Sequence, residues 1–188
     1  MRLTARVWLL IIAILFIALL PGCDSAAPSS VTLPPSGSTA ADKQQTGTPA
    51  DETMKVTVYF ATKDAMYLVP EVLTVPKTAH PAQSALEILV GEPKNVDLVR
   101  VLPEGTKLRG VTIKDHVAYA DFSDKLIRSG RGGSASEILA VGAIVNTLTE
   151  FPDVYKVQIL VEGKKVGTLY GHLDTGEPLS RSESIIKK

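Results

Sequence analysis

The segment Ser129–Glu137, SGRGGSASE, places Gly130, Gly132 and Ala135 at the spacing G-x-G-x-x-A. Such a loop lets backbone approach a pyrophosphate at a helix start, provided it leaves a buried parallel strand directly, within a βαβ unit. The run before it, HVAYADF, alternates instead: Val117, Tyr119 and Asp121 fall on one face, Ala118, Ala120 and Phe122 on the other. It also reads as the second arm of a hairpin, and seven residues, SDKLIRS, separate Phe122 from Gly130. No parallel βαβ unit is therefore expected around the loop, and no cofactor. Ser134 and Glu137 form S-x-x-E, the pattern of a capping box, in which the serine accepts from the third helical amide and the glutamate reaches back. The loop is expected to start a helix, with Arg131 solvated.

The remaining reactive side chains do not assemble in sequence. His80, His116 and His172 fall in separate loops or strand ends, and no serine stands in G-x-S-x-G. Asp115, Asp121 and Asp124 sit at strand ends, where acids are ordinarily solvated, and a calcium loop needs more oxygen ligands in tighter spacing. The reading is therefore of no catalytic residue, no metal, no cofactor and no enzyme. Lys107, Arg109 and Lys114 make a small basic edge on the second hairpin. They are either charges that keep an exposed strand from pairing or a contact for an anionic wall polymer or a partner protein. With 20 basic and 20 acidic residues in 188 there is no net charge to attract nucleic acid.

The only cysteine, Cys23, stands where an apolar run ends. Arg2 and Arg6 precede VWLLIIAILFIALL, from Val7 to Leu20, which is the layout of a secretory signal. That run is shorter than the roughly 20 residues a spanning helix needs. LLPGC, with Leu20 three places before Cys23 and Gly22 directly before it, resembles the lipobox of bacterial lipoproteins. The resemblance implies cleavage after residue 22 and lipidation of Cys23, placing the rest on the outer face of the cytoplasmic membrane. Residues 24 to about 53 hold one Val and one Leu among Ser, Thr, Ala, Pro and Gly. They cannot bury enough apolar surface to offset their ordering entropy, so a disordered tether is expected. The expected organisation is signal 1–22, anchor and linker 23–54, folded domain 55–171 and a polar, fraying tail 172–188.

Within the domain, KVTVYFAT and YLVPEVLTVP read as a hairpin, with Pro70 calling for an edge or a bulge in the second strand. HPAQSALEILVGEP predicts a helix with Pro81 in its first turn and Ala82, Ala85, Leu86, Leu89 and Val90 on one face. KLRGVTIK and HVAYADFS make the second hairpin. A helix from about Ala135 to Phe151 follows, with a core stripe of Ile138, Val141, Val145 and Leu148 flanked by Ile144. VYKVQILVEGKKV then reads as a strand turning at Glu162–Gly163. The order β-β-α-β-β-α-β, with room for one further short strand, argues for a two-layer α+β domain. Its sheet is antiparallel or mixed, with both helices on one face.

This ordered set resembles the GerMN domain, the sporulation and spore-germination domain of Gram-positive bacteria. The pieces that carry the likeness are LPEGT (Leu102–Thr106), VTIKDHVAYADFS, and VNTLTEFP running into VQILVEG, and it extends from about Val56 to Gly163. The resemblance implies a non-enzymatic, extracytoplasmic module whose fold is similar to ring-building motifs of secretion and sporulation channels, which assemble side by side. It brings no active site to carry over. One copy of the domain is present, where some members have two in tandem. The expected role is that of a lipid-anchored envelope module acting in sporulation or germination through protein–protein assembly. A peptidoglycan- or wall-polymer-binding lipoprotein is the alternative.

Overall fold

The computed structural model describes residues 52–130 and 132–188; the signal, Cys23, most of the linker and Arg131 lie outside the described residues. The elements in chain order are β1 (Thr53–Thr62), β2 (Leu68–Pro76), α1 (Pro81–Leu89), β3 (Leu98–Val99), β4 (Leu108–Lys114), β5 (Val117–Phe122), α2 (Lys125–Arg128), α3 (Ser134–Leu148), β6 (Lys156–Val161) and β7 (Lys164–Lys165). This is the expected order with the short β3, α2 and β7 added, and the class is α+β.

β-branched alternation produces the first hairpin: β1 and β2 pair antiparallel in unbroken register from Thr53↔Pro76 to Ala61↔Leu68. Val58, Phe60 and Leu68 are fully buried beneath it. Pro70 lies opposite Tyr59 without a bulge, so of the two positions open to it the edge is the one it takes. α1 begins with Pro81 at its first turn and buries Ala82, Ala85, Leu86 and Leu89, as its spacing requires.

The strands form two sheets, ordered β2-β1-β3 and β4-β5-β6-β7. β5 pairs parallel to β6, Val117↔Lys156 through Phe122↔Val161. The α2–α3 crossover between them is therefore a parallel βαβ unit, which corrects the expectation that none surrounds the glycine loop. The signal was in β6: Val157, Gln158 and Ile159 are consecutive and all buried. Burial on both faces is the mark of a parallel strand under crossover helices. α1 and α3 pack against each other and against both sheets, so two sheets stand where one was expected.

α3 corrects four further details. Its first turn starts from Gly133, with no side-chain cap, so Ser134 and Glu137 do not form a capping box. Every residue from Leu139 to Leu148 is buried, rather than one stripe, because β1 lies against one side and residues 173–185 run over another. Ile138, assigned to the core stripe, is 40% exposed. The helix also stops at Leu148, leaving Phe151 in the turn that follows.

The segment after Tyr170 does not fray. Asn146 exchanges side-chain hydrogen bonds with the backbone of Ser182, 2.9 and 3.0 Å. Leu179 bridges Val157 and Ile186 bridges Leu68. Arg181 reaches the Tyr59 hydroxyl (2.6 Å), lies 5.2 Å over that ring and pairs with Glu150 (2.8 Å). Leu173, Leu179, Ile185 and Ile186 pack on the core. Four apolar residues in an otherwise polar stretch suffice because α3 offers a largely apolar surface, with Asn146 to meet the backbone of Ser182.

Candidate interaction surface

The glycine loop is shaped by packing. A methyl on Gly130 would stand 2.0 Å from Cε1 of Tyr170, so only glycine admits that ring. α2 intervenes between β5 and the loop, which removes the direct strand-to-glycine step a dinucleotide turn requires.

Tyr170 is held there by Glu137. Fully buried, this carboxylate accepts five hydrogen bonds: Oε1 from the Thr168 hydroxyl (2.6 Å) and the amides of Leu169 (2.9 Å) and Tyr170 (2.8 Å), Oε2 from the amides of His172 (2.7 Å) and Leu173 (3.2 Å). Burial opposes its ionisation, but the Thr168 hydroxyl and the amides of Tyr170, His172 and Leu169 outweigh that and hold its pKa down at about 2. Burial, together with the Glu137 charge, pushes the Tyr170 phenol up to about 12. The arrangement fixes a loop to a helix; it leaves no carboxylate lone pair directed at an open cleft.

The other reactive side chains remain apart. Asp121 accepts from Arg109 (2.9 Å) and from the Gly163 amide (2.8 Å), tying β4 and β5 to the β6–β7 turn. Asp124 pairs with Arg128 (2.8 Å). His172 contributes its backbone to the Glu137 cradle. Among the described residues no three His, Cys, Asp or Glu side chains are grouped to hold a metal.

The basic edge is partly neutralised. Arg109 bonds Asp121 and Glu162 (2.7 Å), an arrangement that raises its already high pKa, the Asp121 hydrogen bond first. Lys107 and Lys114 are exposed and have no ion-pair partner among the described residues. They bracket β4, an edge strand of its sheet.

Sequence reasoning missed what lies beside that edge. A groove of about 450 Å³ runs between the start of α1 (Ala79–Gln83), Val111 and Ile113 of β4, and the Phe151–Asp153 turn. At the tip of the β4–β5 hairpin, Asp115 and His116 both have positive φ, 50° and 61°. This left-handed pair twists the two-residue turn to match its strands, a task usually given to Asn-Gly. It brings His116 into a stack on Tyr155, centroids 4.4 Å apart and rings within 8° of parallel. His116 Nδ1 also lies 3.2 Å from the Asp153 carbonyl oxygen. Tyr155 is 63% exposed and Ile113 44%. The available signal was an aromatic residue just beyond a Pro-Asp turn.

A family model described as "Sporulation and spore germination" (Germane) matches residues 57–167. The spore germination protein GerM of Bacillus subtilis (strain 168) is 30% identical over 142 residues, 72% of this chain and 38% of that protein. The chain thus spans about two fifths of the length of this relative. Among solved structures, the tandem GerMN domains of GerM from Bacillus subtilis superpose with a TM-score of 0.60 at 29% identity, covering 69% of this chain and 46% of theirs. The first GerMN domain of that protein gives 0.59 at 28%, covering 68% of this chain and 98% of its own. The β-hairpin, crossover and helix order described above is therefore that of one GerMN domain, and the chain belongs to the sporulation and spore germination (Germane) family.

Proposed function

We propose that this chain is a lipid-anchored, non-enzymatic module of the cell envelope that acts in spore formation or germination by binding other proteins. The observation that carries this reading is the family match across residues 57–167, the body of the folded domain. Placement outside the cytoplasmic membrane is supported by the signal-like run ending at Cys23. The non-enzymatic part is supported by the way Glu137 directs its oxygens into the fold and Asp121 and Asp124 are engaged by Arg109 and Arg128. Exposed apolar residues around β4 and Tyr155 supply the contact surface.

The test is a deletion strain of the native host complemented with the wild-type gene or with Cys23→Ala. Heat-resistant spore counts and germination rates should fall in the deletion and recover only with the form that keeps Cys23. Normal spores in the deletion would overturn the role.

A second reading, recognition of peptidoglycan or another wall polymer, draws on the exposed His116–Tyr155 stack beside a groove that also presents Gln83 and Asp153. Flat exposed rings with polar neighbours suit sugar faces, since such rings combine an apolar body with polar handles. Co-sedimentation with purified sacculi, lost in Tyr155→Ala, would favour it; no sedimentation would leave the protein-contact reading alone.

A further inference from the structure

We propose that residues 31–35 of this chain, VTLPP, which lie outside the described residues, seat in the groove between the start of α1 and β4. The chain thus carries its own occupant for that groove. The inference goes beyond the role proposed above, because it concerns a contact made within one molecule.

The groove states what it will accept. Val111 and Ile113 stand two positions apart on β4, hence on one face of it, and Ile113 is half exposed. Pro81 and Ala82 of α1 and Phe151 and Pro152 of the turn after α3 complete an apolar lining. The α1 wall adds polar groups of one kind. Its first turn has no side-chain cap, and the amides of Ala82 and Gln83 have no hydrogen-bond partner among the described residues. A fitting occupant therefore brings apolar side chains to the lining and carbonyl oxygens to the helix start.

Residues 31–35 have that chemistry. They hold the one Val and the one Leu of residues 24–51, followed directly by their one Pro-Pro pair. A proline offers a carbonyl without an N–H and fixes its own φ, and it holds the residue before it, here Leu33, extended as well. Pro-containing segments of this kind are preformed, so seating them orders little, and grooves lined by rings receive them.

The chain enters the domain beside the groove. The Glu52 carbonyl accepts from the Lys77 amide (2.7 Å) and its carboxylate from the Lys77 ammonium (2.7 Å). Ala79, two residues further on, already lines the groove. Sixteen residues, 36–51, separate Pro35 from Glu52. A chain of that length has a mean reach of roughly 20–25 Å, and such a link sets an effective concentration in the millimolar range. A contact too weak to form between separate molecules is then populated within one. With Cys23 as anchor, seating leaves only residues 24–30 free beside the membrane, and the mean reach of the tether falls from roughly 30 Å to roughly 15 Å. An incoming partner must displace the segment to reach the groove.

Full-length protein in detergent carries Cys23→Ala, so that the only thiols are Ser36→Cys, beside the segment, and Gln83→Cys, on the α1 wall. Copper phenanthroline oxidises the pair, and loss of maleimide-reactive thiols from the monomer band follows the disulfide. It should form roughly tenfold faster than in the same pair carrying Val31→Ser and Leu33→Ser, which remove the apolar contact and keep the tether's length. Ile113→Glu, at an exposed position, should slow it similarly. Val31 and Leu33 precede the folded domain, so their substitution tests the contact without touching the fold. A rate equal to that of the serine-substituted chain, or one unchanged by Ile113→Glu, overturns the docking. Equal rates beside a deletion strain that loses its spores would overturn the docking and leave the envelope role standing; fast cross-linking beside normal spores would uphold the docking and overturn that role.

Discussion

Replacing Glu137 with Gln keeps the side chain's shape and removes the charge that five donors surround. An amide presents one oxygen. If that oxygen takes the place of Oε1, the NH₂ points at the His172 and Leu173 amides, two donors with nothing left to accept them. Hydrogen bonds to a charged group contribute about 1.5–3 kcal/mol and each orphaned buried donor costs about 1–3 kcal/mol, so a loss of roughly 3 kcal/mol is expected. The proton linkage gives the same scale. Glu137 titrates at about 2 in the fold against an ordinary 4.5, a difference equivalent to about 3 kcal/mol of stability at neutral pH. In a domain of this size that lowers Tm by about 10 °C. Because the folded pKa is depressed, the contribution is complete above about pH 4.5 and is lost as pH falls toward 2. Calorimetric Tm measured from pH 7 to pH 2.5 should show the wild-type advantage shrinking through that window. Hydrogen exchange at pH 7 should show residues 168–173 losing protection in the variant. A Glu137→Gln protein melting within about 2 °C of wild type at pH 7 would refute the argument, because that margin corresponds to well under 1 kcal/mol.

Three other outcomes are expected. Gly130→Ala should cost about 1–3 kcal/mol, since its methyl meets the Tyr170 ring at 2.0 Å, whereas Gly142→Ala, whose methyl clashes only with the terminal Cδ1 of Ile185, should be within about 1 kcal/mol of wild type because that methyl group can rotate aside and helix propensity favours alanine; thermal melts of both decide it. Arg181→Ala should lower stability by about 1–2 kcal/mol and Arg181→Lys should recover less than half of that, because one ammonium cannot reach Tyr59, Asn146 and Glu150 together. Cys23→Ala should move the protein from the membrane to the soluble fraction after cell breakage, read by immunoblot of fractions, if the lipid is its anchor.

The strands were legible because β-branched alternation writes a local period into the chain: KVTVYFAT and VAYADF lie within their observed strands almost residue for residue. α1 was legible from Pro81 and its four apolar contacts. The parallel partnership of β5 and β6 was not, because pairing direction is decided by where α3 delivers the chain, and α3's own pattern was misread. A helix buried all round carries no stripe to phase, so Ile138 looked equivalent to Val141. Glu137 deceived for a related reason: S-x-x-E is a local signal, while the five donors that claim the carboxylate lie 31 to 36 positions further along. The same distance hid the role of residues 172–188, whose polar composition describes their outer side only. At the surface, Lys107, Arg109 and Lys114 were found by charge, and the structure separates them, with Arg109 committed to Asp121 and Glu162. The groove and the His116–Tyr155 stack join segments that no linear pattern relates.

The contacts made by residues 181–187 also set the order in which the domain can mature. Tyr59 waits for Arg181, 122 positions later, and the Leu68 edge waits for Lys187. A ribosome working at about 5–20 residues per second leaves the first hairpin and α1 without these partners for roughly 5–20 s. During that interval α3 emerges with its outer flank, including Val141, Gly142 and Val145, uncovered. Closure over such sequence distances is intrinsically slow. Completion of the first hairpin's contacts is thereby made to wait for residues 181–187, and the segments they cover stay open until that stretch is free to bind.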